Sequence, residues 1–516
     1  MLMNCPRWAP ALFSSLEQAG SGVKGYQEID AGIRASSAPL LYESCQPDYV
    51  EVNSGEACPA KSTGWAADIA RSSATGCKSS IGEQITVGDQ RRCSRLDREV
   101  VLDITLLSRR LARTTPSGIE RVNASFAAHF LATDKPNRKA LLSTPLGPRA
   151  IRAGVARRIY GAVQRRWRET QSPETDGEFL RVREALAGLQ SPPQTRSWSQ
   201  HTLSYARAGL LQFAAWCRID EITANAVYLN VGQSILHRPR YTSWLRARPD
   251  VKPVFMIHDL LPIEHPEFFR PREFQIHTKK LNAVARFGAG AIVSTASVAE
   301  AFLAYLARLG RKAMPIIVAP LSVSPVFCEP REHDETLAAR PYFVICGTIE
   351  PRKNHLLLFN LWRRLARSMG PETPKLVVVG VRGWENENAL DMLDRCPELR
   401  EHVIEVSGLS TPAVKRLLDN ARALLMPSFA EGYGLPVAEA LAAGTPVIAS
   451  DLSCFRAMGE RGLTLLDPLD GVGWSTAIGR LCEGPPPWAQ GPENRSKIAI
   501  SSDLYFGKIE AFLASV

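Results

Sequence analysis

Residues 427–448, PSFAEGYGLPVAEALAAGTPVI, decide how this chain is read. The apolar run Ala423-Leu-Leu-Met426 just before them is written as a buried strand, so the stretch reads as strand, glycine-bearing loop, helix. Pro436 suits the first turn of that helix, where its missing N–H would have been unpaired anyway. The loop glycines let backbone approach a ligand closely, and the helix N-terminus offers free N–H groups and a positive dipole to a phosphate. Glu431 projects from the loop and Glu439 from the first turn, and two carboxylates held this way can grip hydroxyls at different places on one ligand. The plain alternative is that Glu439 complements the helix dipole and Glu431 is a solvated loop residue.

The same grammar extends in both directions. Tyr342-Phe-Val-Ile-Cys-Gly347 reads as a strand delivering the loop Thr348 to Asn354, with a helix from Asn354 to Ser368. Further strands are expected near 375–379, 402–406, 423–426, 446–449 and 463–466, and upstream near 99–106, 139–143, 226–230, 253–257, 290–294 and 315–319. Ser297 to Glu300 reads as a capping box opening a helix that Gly310 ends. Strands alternating with helices describe a parallel sheet covered on both faces. The proline-bearing stretch from Ser324 to Pro341 reads as a linker. The expected fold is therefore α/β, with two doubly wound Rossmann-like domains at 98–323 and 342–516. In such sheets ligands sit beyond the carboxyl ends of the strands.

Composition agrees. At 45% apolar and 22% charged, the 516 residues can bury a sizeable core. Residues 1–97 are the exception: small and polar residues dominate, and the stretch reads as a disordered low-complexity extension. No apolar run approaches the roughly 18 residues of a membrane-spanning helix. The opening MLMNCPRWAP carries no signal-peptide pattern, so a cytoplasmic protein is expected. The 11 cysteines form no C-x-x-C pair and read as reduced thiols. An excess of 62 basic over 52 acidic residues implies anionic partners without choosing among them.

The string EGYGLPVAEALAAGTPVI, with Glu431 and Glu439 separated by seven residues, resembles family 4 of the nucleotide-sugar glycosyltransferases, retaining enzymes of the two-domain GT-B architecture whose domains face each other across a cleft. The resemblance implies that Glu439 binds the ribose of the donor and Glu431 faces its sugar. Backbone N–H groups of Gly432, Tyr433, Gly434 and Leu435 would contact sugar and diphosphate.

The loop after Gly347 adds a cationic pair. A sugar-nucleotide donor leaves as a nucleoside diphosphate, and fixed cations can offset the charge growing on it. No Asp-x-Asp pair of the metal-holding kind is found, so no metal and no other cofactor is expected, and Arg352 and Lys353 are the natural clamp, one by a bidentate fork and the other as a point charge. Many members of the family carry an arginine directly after the strand's glycine; Thr348 stands there, and GTIEPRKN resembles a subgroup with Arg beside Lys. A solvated basic turn is the alternative.

The first domain supplies the rest. Pro116-Ser-Gly118-Ile-Glu-Arg121 occupies the position of the family's first glycine loop: Gly118 would admit backbone near the diphosphate or acceptor, and Arg121 would either reach an anionic acceptor or form a surface salt bridge. Tyr228-Leu-Asn-Val-Gly232-Gln resembles another strand-end loop of the family. In Phe255-Met-Ile-His258-Asp259 a strand ends in the His-Asp pair that the family places near the donor sugar, giving His258 a contact role with general-base action as a further option.

Residues 147–168 carry apolar side chains every four residues from Ile151 to Trp167, among seven arginines and no acid. Such a basic amphipathic stretch can lie on an anionic bilayer or pack on its own domain. The resemblance tips the reading to the membrane, because such enzymes often use lipid-linked acceptors.

Together these residues imply a glycosyltransferase moving a hexose from a nucleotide-diphosphate sugar, GDP-mannose favoured, to a glycan or lipid-linked acceptor in bacterial surface-polysaccharide synthesis. A GT-B epimerase or phosphorylase and a non-catalytic sugar-nucleotide-binding membrane scaffold are the rivals. Nucleic acid is not an expected partner, since the arginine-rich stretch carries no nucleic-acid-binding motif.

Overall fold

The computed structural model describes residues 97–110, 116–132, 137–167, 170–189, 216–217, 219–459, 461–484 and 501–516, all within one compact unit. The expected extension at 1–97 lies almost wholly outside the described residues.

Every strand expected from the apolar runs forms. In the first half β1 (Val100–Asp103), β2 (Arg138–Thr144), β5 (Val227–Asn230), β6 (Lys252–Ile257), β7 (Gly290–Val293) and β8 (Ile316–Val318) run parallel. Two antiparallel strands, β3 (Gly147–Arg152) and β4 (Trp216–Cys217), extend that sheet beyond β2, giving the order β4-β3-β2-β1-β5-β6-β7-β8. In the second half β9 (Tyr342–Cys346), β10 (Lys375–Val379), β11 (Val403–Val406), β12 (Leu424–Met426), β13 (Val447–Ser450) and β14 (Leu463–Leu466) form a parallel sheet ordered β11-β10-β9-β12-β13-β14.

Both orders reverse direction at one point, between β1 and β5 in the first sheet and between β9 and β12 in the second. At such a point adjacent crossover helices lie on opposite faces, and the strand ends open into a crevice. Alternation along each strand feeds two cores. Val100 and Leu102 join one cluster and Val101 another; Tyr342 and Val344 join a third, Phe343 and Ile345 a fourth.

Two helices pack outside the half that their sequence position assigns. The last helix, Ser502–Ser515, buries Tyr505, Phe506, Ile509, Phe512 and Leu513 in the core of the first sheet. Helix Gly177–Leu186 buries Phe179, Val182 and Leu186 with second-domain residues, and its N-cap Asp176 accepts a 2.8 Å hydrogen bond from the Ser410 N–H. These two apolar faces find their complement across the linker. The linker itself contains a short helix, Glu335–Ala338.

Of the two alternatives for 147–168, the structure shows packing on its own domain. Residues 147–152 pair with β2 as strand β3, and the helix Ala153–Trp167 puts Ile159, Val163 and Trp167 into the first core. Its apolar stripe is spent inside the protein, while Arg152, Arg158 and Arg165 face solvent.

The expected capping box at Ser297–Glu300 is also replaced: Thr295 is the N-cap of helix Ala296–Arg308, its hydroxyl accepting from the Val298 N–H. Ser297 lies in the first turn, 3.1 Å from the Thr295 hydroxyl.

Candidate functional site

The second sheet's switch point brings together the loops that follow β9 and β12. After β9 the chain turns through Gly347 at φ +148° into a single 3-10 turn, Pro351–Lys353, and Asn354 at φ +54° starts helix His355–Met369. After β12 it runs through Pro427 to Gly434 into helix Leu435–Ala443. The two loops are stitched together: the Phe429 N–H donates to the Arg352 carbonyl at 2.8 Å, and Arg352 Nη1 donates to the Ala430 carbonyl at 3.1 Å.

Glu431 lies at the centre of this seam. Its Oε1 accepts from Lys353 Nζ at 2.5 Å and from the Ser428 hydroxyl at 2.9 Å, and its Oε2 pairs with Arg352 Nη1 at 2.8 Å. Arg352 Nε also pairs with Glu350 at 2.7 Å. Burial pushes the Glu431 carboxyl up, but Arg352 and then Lys353 outweigh it and hold the group at about 2. Burial lowers Lys353, partly offset by Glu431, and raises Glu350. The carboxylate and the two cations that the sequence suggested for different parts of a ligand thus share one ion-paired cluster.

Glu439, 3% exposed, faces the other domain. Its carboxylate is met by the guanidinium of Arg121, from helix Gly118–Leu131 of the first domain. Burial raises the Glu439 carboxyl and Arg121 partly offsets this. Arg121, partly exposed, thus pairs with a buried carboxylate across the cleft. Gly118 is the first residue of its helix, behind a capping box in which the Ser117 N–H donates to Glu120 at 2.7 Å. Open space surrounds a Cβ built at Gly118, so packing does not demand glycine there.

The loop glycines are required by protein neighbours. A Cβ on Gly432 would stand 2.6 Å from the His258 carbonyl oxygen, and one on Gly434, at φ +86°, 2.2 Å from the Phe455 ring. Gly347 is tight as well, its Cβ position 3.2 Å from Lys353 Cε. Thr348 follows it partly exposed. Tyr433 donates its hydroxyl to the Leu321 carbonyl at 3.2 Å, and Thr295 donates to the Gly432 carbonyl at 3.4 Å, so the loop is fastened to the first domain at two further points. Leu435 opens the helix, with Pro436 in its first turn as expected.

His258 and Asp259 end β6 opposite this loop. His258 Nε2 donates to the Val231 carbonyl at 2.8 Å, and burial holds its pKa below the ordinary value. Asp259 Oδ1 accepts from the Leu261 N–H at 3.2 Å. Between the domains lies a cavity of about 320 Å³, walled by Asp259, Glu264 and Ser297 on one side and by Phe429, Glu431 and Gly432 on the other. Glu264 was not singled out in the sequence; it ends the short helix Leu261–Glu264 that follows His258-Asp259. Beside the cavity Phe268 stacks on Phe429 with centroids 5.6 Å apart, and Arg270 lies over Trp384 at 5.0 Å. Among the described residues no group of three or more His, Cys, Asp or Glu is arranged to hold a metal ion, and no helix is long and apolar enough to cross a membrane.

Two parallel-sheet domains with a charged cleft at their switch points define the GT-B class. A solved Escherichia coli structure, described as trehalose-6-phosphate bound with UDP-2-fluoro glucose, superposes with a TM-score of 0.50 over 81% of this chain and 99% of its own at 12% identity, a likeness of fold alone. Residues 330–464 match the family described as Glycosyl transferases group 1. The serotype-specific mannosyltransferase WbdA of Escherichia coli is 30% identical over 222 residues, 40% of this chain and 27% of that protein. The O-antigen chain mannosyltransferase B of Escherichia coli is 34% identical over 149 residues, 28% of this chain and 38% of that protein. The chain thus matches well under half the length of either relative.

Proposed function

We propose that the chain is a retaining mannosyltransferase that moves mannose from GDP-mannose to a glycan or lipid-linked acceptor in bacterial surface-polysaccharide synthesis. The observation that carries the reading is the Glu431–Arg352–Lys353 cluster at the strand switch point, bordering a cavity whose other wall is Asp259. The mannosyltransferase relatives support the choice of sugar.

In this reading Glu439 takes the ribose hydroxyls, Glu431 faces the sugar, and the N–H groups of Gly432 to Leu435, with Gly347 and Thr348, receive the diphosphate. Gly118 approaches the same phosphates from the first domain. An acceptor hydroxyl attacks the sugar C1 on the face that the diphosphate leaves; the C1–O bond to the β-phosphate breaks, and the hydroxyl proton passes to the departing phosphate oxygen. Arg352 and Lys353, swinging part of their charge from Glu431 to the diphosphate, stabilise the leaving group without a metal. His258 and Asp259 contact the sugar, and the closed cleft keeps water from competing with the acceptor. The enzyme would work at the cytoplasmic face of the membrane, drawn there by the solvent-facing arginines alone.

Incubation of the purified chain with labelled GDP-mannose, a lipid-linked glycan and excess chelator tests this. Label in the glycan with an α-linkage retained from the donor supports it; release of free mannose or an epimerised sugar nucleotide contradicts it.

A further inference from the structure

At the first sheet's switch point the buried carboxylate of Asp103 ends β1. Its Oδ2 accepts from the Tyr228 hydroxyl at 2.6 Å and from Asn230 Nδ2 at 3.0 Å, and its Oδ1 from the Thr105 N–H at 2.8 Å. Asn230 Oδ1 in turn accepts from the Gln233 N–H at 2.9 Å, and Gln233 Nε2 donates to the Met256 carbonyl at 2.6 Å. Gln233, 6% exposed, sits at φ +47°, and a Cβ on its neighbour Gly232 would fall 2.8 Å from Leu106 and 2.9 Å from Asn123. The turn 231–233 is therefore tied to β1 at one end and to β6, two residues before His258, at the other.

The carbonyl inside this turn, Val231, is the one that accepts from His258 Nε2. A carbonyl oxygen only accepts, so Nε2 carries the proton, and burial keeps the ring neutral, which leaves the lone pair on Nδ1. The charged groups that act on the imidazole are Asp259 beside it and Lys280 on helix Glu273–Phe287.

We propose that Gln233, anchored through Asn230 to Asp103, is a positioning residue for His258: by holding the Val231 carbonyl it selects the ring tautomer whose Nδ1 accepts a hydrogen bond from a hydroxyl of the donor sugar. Its catalytic meaning rests on the reading of His258 as a sugar contact.

The test uses the full chain with isotope-labelled histidine, whose ring-nitrogen shifts report tautomer and charge; His258 is assigned by its loss in His258→Asn. The wild type is expected to show Nε2–H alone and a ring that titrates below free histidine. Gln233→Met keeps the side-chain length and removes the donor to Met256, and Asn230→Ala removes the acceptor for the Gln233 N–H. Each is expected to give mixed tautomers, and to lower kcat for mannosyl transfer about tenfold with the donor KM changed less than about twofold. Unaltered His258 shifts in whichever of these variants folds overturn the assignment. If His258→Asn transfers mannose at the wild-type rate while Gln233→Met still mixes the tautomers, the sugar-contact reading fails and the positioning stands.

Discussion

Arg121 of the first domain and Glu439 of the second form an ion pair across the cleft, and the carboxylate in it is almost fully buried. Removing one partner of such a pair strands the other charge in a poor solvent, at a cost of about 3 kcal/mol or more. Arg121→Ala is expected to lose about that much in urea unfolding, and Arg121→Ala with Glu439→Gln to recover most of it, since no unpaired charge then remains. Additive losses in the double-mutant cycle would contradict the pairing.

Glu431 sets an acid limb of stability. Its ordinary value is 4.5 and the fold holds it at about 2, so its contribution is present above about pH 4.5 and is lost as the pH falls toward 2. A shift of that size corresponds to roughly 3 kcal/mol. Glu350 is shifted upward by burial and acts with the opposite sign, its contribution fading as the pH rises through its raised value. Urea midpoints are expected to fall steeply below about pH 4.5 in the wild type and in Glu350→Gln, and to fall less steeply in Glu431→Gln. Parallel profiles for all three would refute the cluster's electrostatics.

Gly432→Ala probes the seam between the domains, because the added methyl first meets the His258 carbonyl and the Asp259 side chain of the other domain. The expected outcome is an ordinary melting transition with mannosyl transfer lowered roughly 100-fold, since sub-ångström misplacement across a closing cleft is costly. Wild-type turnover would mean that the cleft works in a more open form.

Association with anionic vesicles should be electrostatic only, since the apolar stripe of helix Ala153–Trp167 is buried. Binding to phosphatidylglycerol vesicles is expected at low salt and abolished at about 0.5 M salt, where charges are screened within a few ångströms. Binding that survives high salt would indicate an inserted apolar element.

The strands were legible because each is a short apolar run bounded by turn residues, VVLD and YFVIC among them. Two kinds of feature were not. Strand β3 carries Arg149 and Ile151 at a spacing shared with the helix that follows, so the pattern reads as one helix until backbone pairing with β2 decides it. The exchange of helix Ser502–Ser515 onto the first core and the meeting of Arg121 with Glu439 depend on residues brought together from distant parts of the chain, and no local pattern announces a partner so far away. Residues Glu431, Arg352 and Lys353 were each identifiable from their loops, but their mutual pairing follows from β9 and β12 being neighbours in the sheet.

The central claim is that this cluster receives a sugar nucleotide. Isothermal titration of the full chain with GDP-mannose, in the presence of chelator, tests it most directly. The account predicts saturable binding, weakened at least tenfold by Arg352→Ala with Lys353→Ala. Absence of binding by any sugar nucleotide, or equal affinity in that double variant, would contradict it.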